Sequence, residues 1–425
     1  RARDVAYDAL IIGAGAAGLA ALREVHGASL RVACVEARDR VGGRIYTVHD
    51  PLSPAAIELG AEFVHGRPRE IFNLIEEAGL PVVERVHEIH RPGEETTKPD
   101  DGGMWRLLLT MEEAAEDGPD MSFTDFAATA SFDDRAKRSA TSYVEGFNAA
   151  RAEIVGIHSL AQDSRAAEAI EGDRAFHLAQ GYDSVARALM PAGAELRLNT
   201  IAERIAWKHG EATVQFRSAI DGSRDTLTAK RLIVTVSLGV LQAGAIQFDP
   251  EPAEAMEAAR SLVFGQAMRI TLRFEHAPGF VRPGFLLSDE PVFPTWWSAS
   301  PEGAPIITGW SAGSKAEILL GQSREAIIGR AVESLHRIAG CQLPQIAAAY
   351  FHDWYADPFS RGAYSYVPVG KLEARAALAQ PVDETLYFAG EAANTSGHGA
   401  TVHGAIESGR HAARCVIAHG SAERK

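Results

Sequence analysis

The chain has 425 residues, of which 46% are hydrophobic and 23% charged, so it can bury a large core and divide into about two or three domains. Its formal net charge of −14 argues against a general binder of nucleic-acid phosphates. The longest weakly polar run, Leu10 to Leu22, is too short and too glycine-rich to span a bilayer, so we expect no membrane anchor.

The elements predicted first along the chain form a βαβ unit, with a strand, a glycine-rich turn, a helix and a second strand in residues 7–36. Residues 104–190 are rich in Ala, Glu and Arg and predict a helical region. Short β-like runs in 195–240 indicate a meander followed by a buried strand. A further β-rich stretch covers 263–310, a helix is predicted at 324–338, and the chain ends with the strand TLYFAG and the helix VHGAIESGRHAARCV.

Residues 263–275, VFGQAMRITLRFE, alternate apolar side chains such as Met268 and Ile270 with polar ones such as Arg269 and Thr271. This period of two predicts a half-buried strand with Arg269 on its polar face. Two alternatives remain open for that face, which either meets bulk solvent or forms the wall of a site.

The turn GAGAAG supplies the pattern GxGxxG between the first predicted strand and helix. Gly13 permits the tight turn, Gly15 lets the backbone approach a pyrophosphate, and Gly18 lets the helix pack against the strand. Glu36 ends the next strand about twenty residues later, where a carboxylate can accept hydrogen bonds from ribose hydroxyls. These features predict a dinucleotide site without separating NAD from FAD; a purely structural glycine turn is the alternative.

The next stretch, EARDRVGGRIYT, contains Arg38, Gly42, Gly43 and Arg44. It resembles the ExxxxxGGR signature of a large FAD-binding group that includes amine oxidases, protoporphyrinogen oxidases and carotenoid desaturases. Glycines beside an arginine let the backbone approach a diphosphate whose charge the guanidinium neutralises. The alternative interpretation of Arg38 and Arg44 is ordinary surface charge.

Four further blocks narrow this resemblance, namely ELGAEFVHG (58–66), RLIVTVSLGVLQ (231–242), WYADPFSRGAYSYVPVG (354–370) and LYFAGEAANTSGHGATVHGAIESG (386–409). Over nearly its whole length the chain resembles the flavin-containing amine oxidase family of monoamine oxidases, polyamine oxidases and lysine-specific histone demethylase. The resemblance implies an α/β fold in which an inserted α+β substrate domain (83–177 and 259–357) interrupts a discontinuous, Rossmann-like FAD-binding domain (1–82, 178–258 and 358–425).

The resemblance also implies roles for individual residues. Tyr364 corresponds to the wall of the substrate site, Thr401 stands where many relatives have a second aromatic, and Arg269 replaces a lysine that holds a water against flavin N5. The predicted catalytic residues are Arg269, Tyr364, Thr401 and His65, with a structural histidine as the alternative for His65 and a core aromatic as the alternative for Tyr364. The predicted cofactor-binding residues are Gly13, Gly15, Gly18, Glu36, Arg38, Gly43, Arg44, Gly60, Ala61, Ala202, Trp354, Gly390, Glu391 and Val402.

Some details of the site stay open at this point. Ala363 stands where some relatives carry a cysteine bonded to the flavin, so we expect non-covalent FAD. Glu62 either meets a substrate ammonium, acts from behind the site or acts on its flavin side. Trp296 and Trp297 are either core or pocket residues. Three scattered cysteines without metal-ligand spacing predict no metal site and no disulfide framework.

The implied reaction is oxidation of a secondary or polyamine-like amine, with hydride transfer from the α-carbon to flavin N5, hydrolysis of the imine, and O₂ as acceptor giving H₂O₂. The alternatives are a flavin dehydrogenase or desaturase that uses another electron acceptor, and a non-catalytic flavoprotein. We expect a monomer or homodimer whose partners are the amine and the acceptor, without nucleic acid or membrane. We expect a cytoplasmic protein. Because the chain begins with Arg1 and its first methionine is Met104, removal of the native start together with an export signal, and hence a periplasmic location, is the alternative.

Overall fold

The computed structural model describes residues 7–85, 88–92, 103–299 and 303–422. The strands are β1 (Tyr7–Ile12), β2 (Val32–Val35), β3 (Thr47–Val48), β4 (Ile57–Glu58), β5 (Phe63–His65), β6 (Val82–Glu84), β7 (Ile89–His90), β8 (Ala175–Leu178), β9 (Glu195–Arg197), β10 (Thr200–Lys208), β11 (Glu211–Ser218), β12 (Arg224–Val234), β13 (Gln247–Asp249), β14 (Val263–Phe264), β15 (Ala267–Phe274), β16 (Phe285–Leu287), β17 (Thr295–Ser298), β18 (Ile306–Ala312), β19 (Ile346–Phe351), β20 (Ser365–Tyr366) and β21 (Leu386–Phe388).

The helices are α1 (Ala16–Gly27), α2 (Arg69–Ala78), α3 (Met104–Asp117), α4 (Phe123–Thr129), α5 (Asp134–Asn148), α6 (Ile157–Glu168), α7 (Asp183–Leu189), α8 (Leu238–Gln242), α9 (Ala253–Ser261), α10 (Ser314–Glu317), α11 (Arg324–Ala339), α12 (Ala374–Leu378) and α13 (Val402–Ala422), with a 3₁₀ turn at Glu391–Ala393. Within the described ranges, none of the helices is both long and apolar enough to span a bilayer.

The larger sheet has the strand order β13-β10-β11-β12-β1-β2-β9, with β21 also paired to β12. β1 pairs in parallel with β2 and β12, while β10, β11 and β12 form an antiparallel meander. Because β1 is central and covered on both faces, its sequence YDALII is a nearly continuous apolar run. The predicted βαβ unit and the predicted meander are therefore confirmed.

The second sheet has the order β19-β15-β18-β17-β16-β7, and α11 covers one of its faces. Ser323 caps the start of α11 by accepting a hydrogen bond from Ala326 N at 3.2 Å, and Gly340 ends it in the left-handed conformation. Ile327 and Leu335 of this helix pack into the same core as Met268 of β15. The helix predicted at 324–338 is confirmed.

Strand β15 has the predicted alternation, but its second face is also covered. Met268, Ile270 and Leu272 lie in the core with α11, whereas Arg269 and Thr271 point to the other side and are only 7% and 2% exposed. The alternative in which Arg269 meets bulk solvent is therefore wrong, because this face of the sheet is buried against other parts of the chain.

The region 104–190 contains helices α3 to α7, as predicted, but also a strand, β8, that the composition did not indicate. All four residues of β8 are buried, and it pairs antiparallel with both β5 and β6. Phe176 and Leu178 join the core that also contains helix α1. The proposed domain boundary between residues 177 and 178 thus passes through this strand, and the division into domains stays a prediction.

Candidate active site

A cavity of about 1150 Å³ is lined by residues from both sheets. Its dinucleotide end lies at the carboxyl ends of β1, β2, β12 and β21, which is where open α/β sheets bind ligands. Every predicted site residue except Gly18 lines this cavity. The fold therefore brings together side chains that lie up to several hundred residues apart in the sequence.

Two glycines of the first turn, Gly13 and Gly18, lie where a Cβ would clash with neighbouring atoms. Gly13 has a φ of +102°, and a Cβ there would lie 2.7 Å from Thr235 Oγ1. A Cβ on Gly18 would lie 1.8 Å from the carbonyl oxygen of Gly13, so Gly18 lets α1 pack against the turn, as predicted. Gly15 forms a bridge with Gly42 of the next loop, so two glycine loops meet at the cavity wall.

Glu36 closes the same turn from the end of β2. It is buried and accepts hydrogen bonds from Ala14 N at 2.8 Å and from Arg38 N at 2.9 Å. One carboxylate thus fixes the backbone of both glycine-rich loops while still lining the cavity. This placement suits the ribose-binding role predicted for Glu36.

Arg38 and Arg44 are not free surface charges, so the alternative interpretation of both residues is wrong. Arg38 Nη2 lies 2.9 Å from Asp357, and Arg44 Nη1 lies 2.9 Å from Glu391. Arg44 Nη1 also donates to Ala363 O at 2.8 Å. Because a carboxylate already pairs with each guanidinium, the uncompensated positive charge available to a diphosphate is smaller than the sequence indicated.

Glu391 joins three segments of the chain at the cavity. Its carboxylate accepts hydrogen bonds from Arg44, from Ser365 Oγ at 2.6 Å and from Ala400 N at 3.1 Å. Burial opposes its ionisation, but the charges of Arg44 and Arg375 and these hydrogen bonds hold the pKa of Glu391 below its usual value. Glu391 is therefore ionised and holds three segments of the chain together at the predicted diphosphate end of the cavity.

Arg269 lies in a buried ion pair at the cavity wall. Its Nη2 is 2.6 Å from Glu62 Oε2, and its Nε donates to Glu58 O at 2.6 Å. Trp297 Nε1 donates to the same Glu62 oxygen at 2.9 Å. Burial opposes the ionisation of Glu62, but the charges of Arg269 and His177 lower its pKa. The geometry favours the alternative in which Glu62 acts from behind the site, holding Arg269.

The part of the cavity around Tyr364 has aromatic walls. Tyr364 donates from its hydroxyl to Phe147 O at 2.9 Å, and burial raises its pKa, so the phenol stays protonated. The ring of His65 lies 5.3 Å from that of Phe147. Trp297 lines the cavity and is a pocket residue, whereas Trp296 is fully buried beside α11 and is a core residue.

Thr401 has a structural use that its predicted catalytic role did not include. Its hydroxyl donates to His398 O at 2.7 Å and accepts from Gly404 N at 3.0 Å, which caps the start of α13. A threonine three residues before Gly404, at the predicted start of a helix, is an N-cap signal. Thr401 thus fixes the helix N-terminus beside Val402.

The cavity also contains tryptophans and other residues whose prediction from sequence differed. Trp354 was predicted, and it donates from Nε1 to Leu59 O at 2.8 Å. Trp310, Phe147 and His403 also line the cavity but lie outside the predicted set. They come from strand and helix positions whose side-chain direction depends on packing, which local patterns do not specify.

Comparison with known proteins then decides the family. Residues 16–417 match the model of the flavin containing amine oxidoreductases. The chain belongs to this family. The oxidoreductase is 28% identical to polyamine oxidase 4 of Oryza sativa subsp. japonica, with 94% of this chain and 86% of that protein covered. It is also 28% identical to lysine-specific histone demethylase 1 homolog 1 of the same plant, spanning 96% of this chain but about half of the demethylase (52%).

Solved structures show the same fold. A putrescine oxidase bound to putrescine superposes with a TM-score of 0.83 at 22% identity, covering 97% of this chain and 99% of that one. A cyclohexylamine oxidase from Brevibacterium oxydans IH-35A superposes with a TM-score of 0.83 at 19% identity, covering 98% and 100%. The oxidoreductase therefore has the predicted α/β architecture of an FAD-binding, Rossmann-like domain with a substrate domain.

The residues at the dinucleotide end fit the flavin that the family implies. The cavity exceeds the roughly 300–1,000 Å³ of a drug-sized pocket, so it has room for a dinucleotide and a small amine. Gly15 and Gly43 line the cavity with backbone only. The two glycine loops lie so close together that a Cβ on Gly43 would be 3.3 Å from Gly15 Cα. Across the residues that the structure describes, no three His, Cys, Asp or Glu side chains are arranged to hold a metal ion.

Proposed function

We propose that this oxidoreductase uses non-covalently bound FAD to oxidise a secondary or polyamine-like amine, with O₂ as the electron acceptor. The observation that supports this proposal is one continuous cavity that joins a dinucleotide cradle to a chamber with aromatic walls. When bound, the flavin would take a hydride from the amine's α-carbon at N5 and pass the electrons to O₂, giving H₂O₂ and an imine that water hydrolyses.

The chain's own residues would position the amine and exclude water. Tyr364, Trp297 and Phe63 supply apolar surface that favours the neutral amine over its ammonium form. The carboxylates of Glu62 and Glu391 are already held by arginines. We therefore propose that the amine is oriented by shape and by neutral hydrogen bonds rather than by an ion pair with either carboxylate.

Non-covalent binding is proposed from Ala363, which lies between Gly362 and the cavity residue Tyr364 and cannot form a thioether. Acid precipitation of the flavin-loaded protein should release all of the FAD into the supernatant. Yellow colour retained in the washed pellet would contradict this proposal.

The second candidate is a flavin dehydrogenase that passes electrons to another acceptor, and the ion pair of Arg269 with Glu62 favours it. Because Glu62 compensates the guanidinium charge, this wall offers less net positive charge than the lysine of relatives would. Arg269→Lys should change the rate of flavin reoxidation by air more than it changes FAD affinity. Unchanged reoxidation in this variant would remove Arg269 from the acceptor step.

The experiment that tests the proposed function is anaerobic titration of the flavin-loaded protein with a panel of primary, secondary and polyamine substrates. Bleaching of the flavin by an amine, followed by recovery and H₂O₂ formation in air, is the expected result. Bleaching without peroxide would favour the dehydrogenase. No bleaching by any amine would favour a non-catalytic flavoprotein, and a protein that binds no flavin would exclude all three.

A further inference from the structure

A carboxylate on helix α6 faces the cavity without a partner. Ser159, Asp163 and Ala167 follow one another at helical spacing, and all three line the cavity. The Asp163 side chain is half-buried, and its oxygens are not among the fully enclosed polar atoms that lack a partner, so they are open to the cavity. In the part of the chain that the structure describes, Asp163 has no hydrogen-bond donor and no ion pair.

The more deeply buried carboxylates at the cavity are already engaged. Glu36 accepts two backbone N–H bonds, whereas Glu62 and Glu391 are each paired with an arginine. Buried charges normally have such partners, because the loss of water around them must be compensated. Asp163 differs from these three residues in that its carboxylate is available to a ligand.

Helix α6 lies against the two segments that carry predicted catalytic residues. Ser159 Oγ donates to Val367 O at 3.3 Å, in the same segment as Tyr364. A Cβ on Gly397, in the loop that leads to Thr401, would lie 3.1 Å from a backbone oxygen of the helix. The cavity-lining face of α6 therefore borders the chamber around Tyr364.

Burial makes an uncompensated negative charge costly at this position. It raises the pKa of Asp163 to about 6, although the charge of Arg375 opposes the shift. Arg375 also acts on Glu391, whose pKa it lowers, and donates from Nη2 to Ser365 O at 3.2 Å. Asp163 is still mainly ionised at neutral pH, so a cationic ligand group would supply the compensation that the protein does not.

We propose that the Asp163 carboxylate binds a second, protonated nitrogen of the amine substrate, so that the enzyme prefers diamines and polyamines to monoamines. This inference rests on the proposed amine oxidation and names the substrate class for it. The reacting nitrogen is neutral in the apolar chamber, whereas the second nitrogen keeps its proton because a carboxylate faces it. A hydrogen bond between two charged groups predicts a preference of about ten- to a hundredfold in affinity.

The test uses α,ω-diaminoalkanes of increasing length, each paired with the monoamine in which a methyl group replaces the second ammonium. Affinity is measured by calorimetry on flavin-loaded protein that has been reduced anaerobically beforehand, so that the amine binds without reacting. Asp163→Asn removes the charge with little change in size, and Asp163→Glu moves the carboxylate one methylene further into the cavity. Asp173→Asn is the matched control, because Asp173 also lines the cavity but is exposed.

We expect the wild type and Asp173→Asn to prefer the diamine at one chain length, and Asp163→Asn to bind both members of each pair within about threefold. Asp163→Glu should keep the preference but shift it to a shorter diamine, which a merely structural role would not produce. No preference in the wild type, or a retained preference in Asp163→Asn with normal flavin content, would overturn the inference.

Two further outcomes are also decisive. If Asp163→Asn does not fold, an unchanged length preference in Asp163→Glu overturns the inference and a shifted one supports it. Failure of every amine to bleach the wild-type flavin, while the binding preference is present, removes the proposed oxidation and leaves the ammonium subsite in place.

Discussion

Replacing Glu62 by glutamine would remove one charge from the buried pair with Arg269 while keeping the size of the side chain. Both side chains are almost fully buried, at 6% and 7% exposure. Glutamine can still accept the hydrogen bond from Trp297 Nε1 through its amide oxygen. The perturbation is therefore mainly the loss of the negative charge that compensates the guanidinium.

The magnitude follows from the burial of the pair. Removing one partner of a buried ion pair leaves an uncompensated buried charge and costs about 3–5 kcal/mol of stability. Arg269 keeps its hydrogen bond to Glu58 O, which places the expected loss at the lower end, about 3 kcal/mol. An exposed pair such as Arg260 with Glu251 contributes only about 0–1 kcal/mol, so Glu251→Gln is the matched control.

The assay is chemical denaturation of the flavin-loaded variants, with the double variant Glu62→Gln/Arg269→Gln included. Glu62→Gln should lose about 3 kcal/mol and Glu251→Gln less than about 1 kcal/mol. The double variant should recover part of the loss, because neither charge remains to be buried unpaired. A loss in Glu62→Gln no larger than in the control would refute the reasoning and would mean that Arg269 reaches solvent.

Three further results are expected. Glu36→Gln should lower FAD affinity at least tenfold, measured by flavin release on dilution, because the carboxylate accepts two backbone N–H bonds of the cradle. Gly18→Ala should lose about 1–3 kcal/mol or more, since its Cβ would lie 1.8 Å from Gly13 O, whereas Gly27→Ala in the same helix, with no atom within 4 Å, should be neutral or stabilising in thermal melts. Folding lowers the pKa of Glu62, so this carboxylate adds to the free energy of unfolding above the ordinary glutamate pKa of about 4.3, and the added stability is lost as the pH falls below that value. Glu62→Gln should therefore make stability depend less on pH in this acidic range.

The parts of the fold that the sequence predicted are those fixed by local physics. The GxGxxG turn, the apolar run of β1 and the periodicity of α11 each carry their own constraint within a few residues. The strand β8 was missed because its four residues, AFHL, become a strand through pairing with β5 and β6 rather than through a local pattern.

The site residues also divide into those with a local sequence signal and those positioned only by tertiary contacts. Glycine positions and Glu36 were predictable because their spacing reflects backbone geometry. The pairing of Arg269 with Glu62 was not, because 207 residues separate them and either side chain has several plausible uses. Thr401 lies between these cases, since the helix cap that it forms has a local signal, while its direction relative to Tyr364 depends on tertiary packing.

Arg269, at the position where the resemblance predicts a lysine, has a structural use in the two acceptors that it contacts. An arginine can donate from Nε and Nη2 to two separate groups at once, here Glu58 O and Glu62, whereas a lysine presents a single ammonium on a flexible stem. Arg269 and Glu62 are thus better treated as one unit whose charges cancel than as an extra cation at the cavity wall. If the proposed O₂ step takes place at this wall, Glu62→Gln, which leaves the guanidinium charge uncompensated, should change flavin reoxidation in the direction opposite to Arg269→Gln.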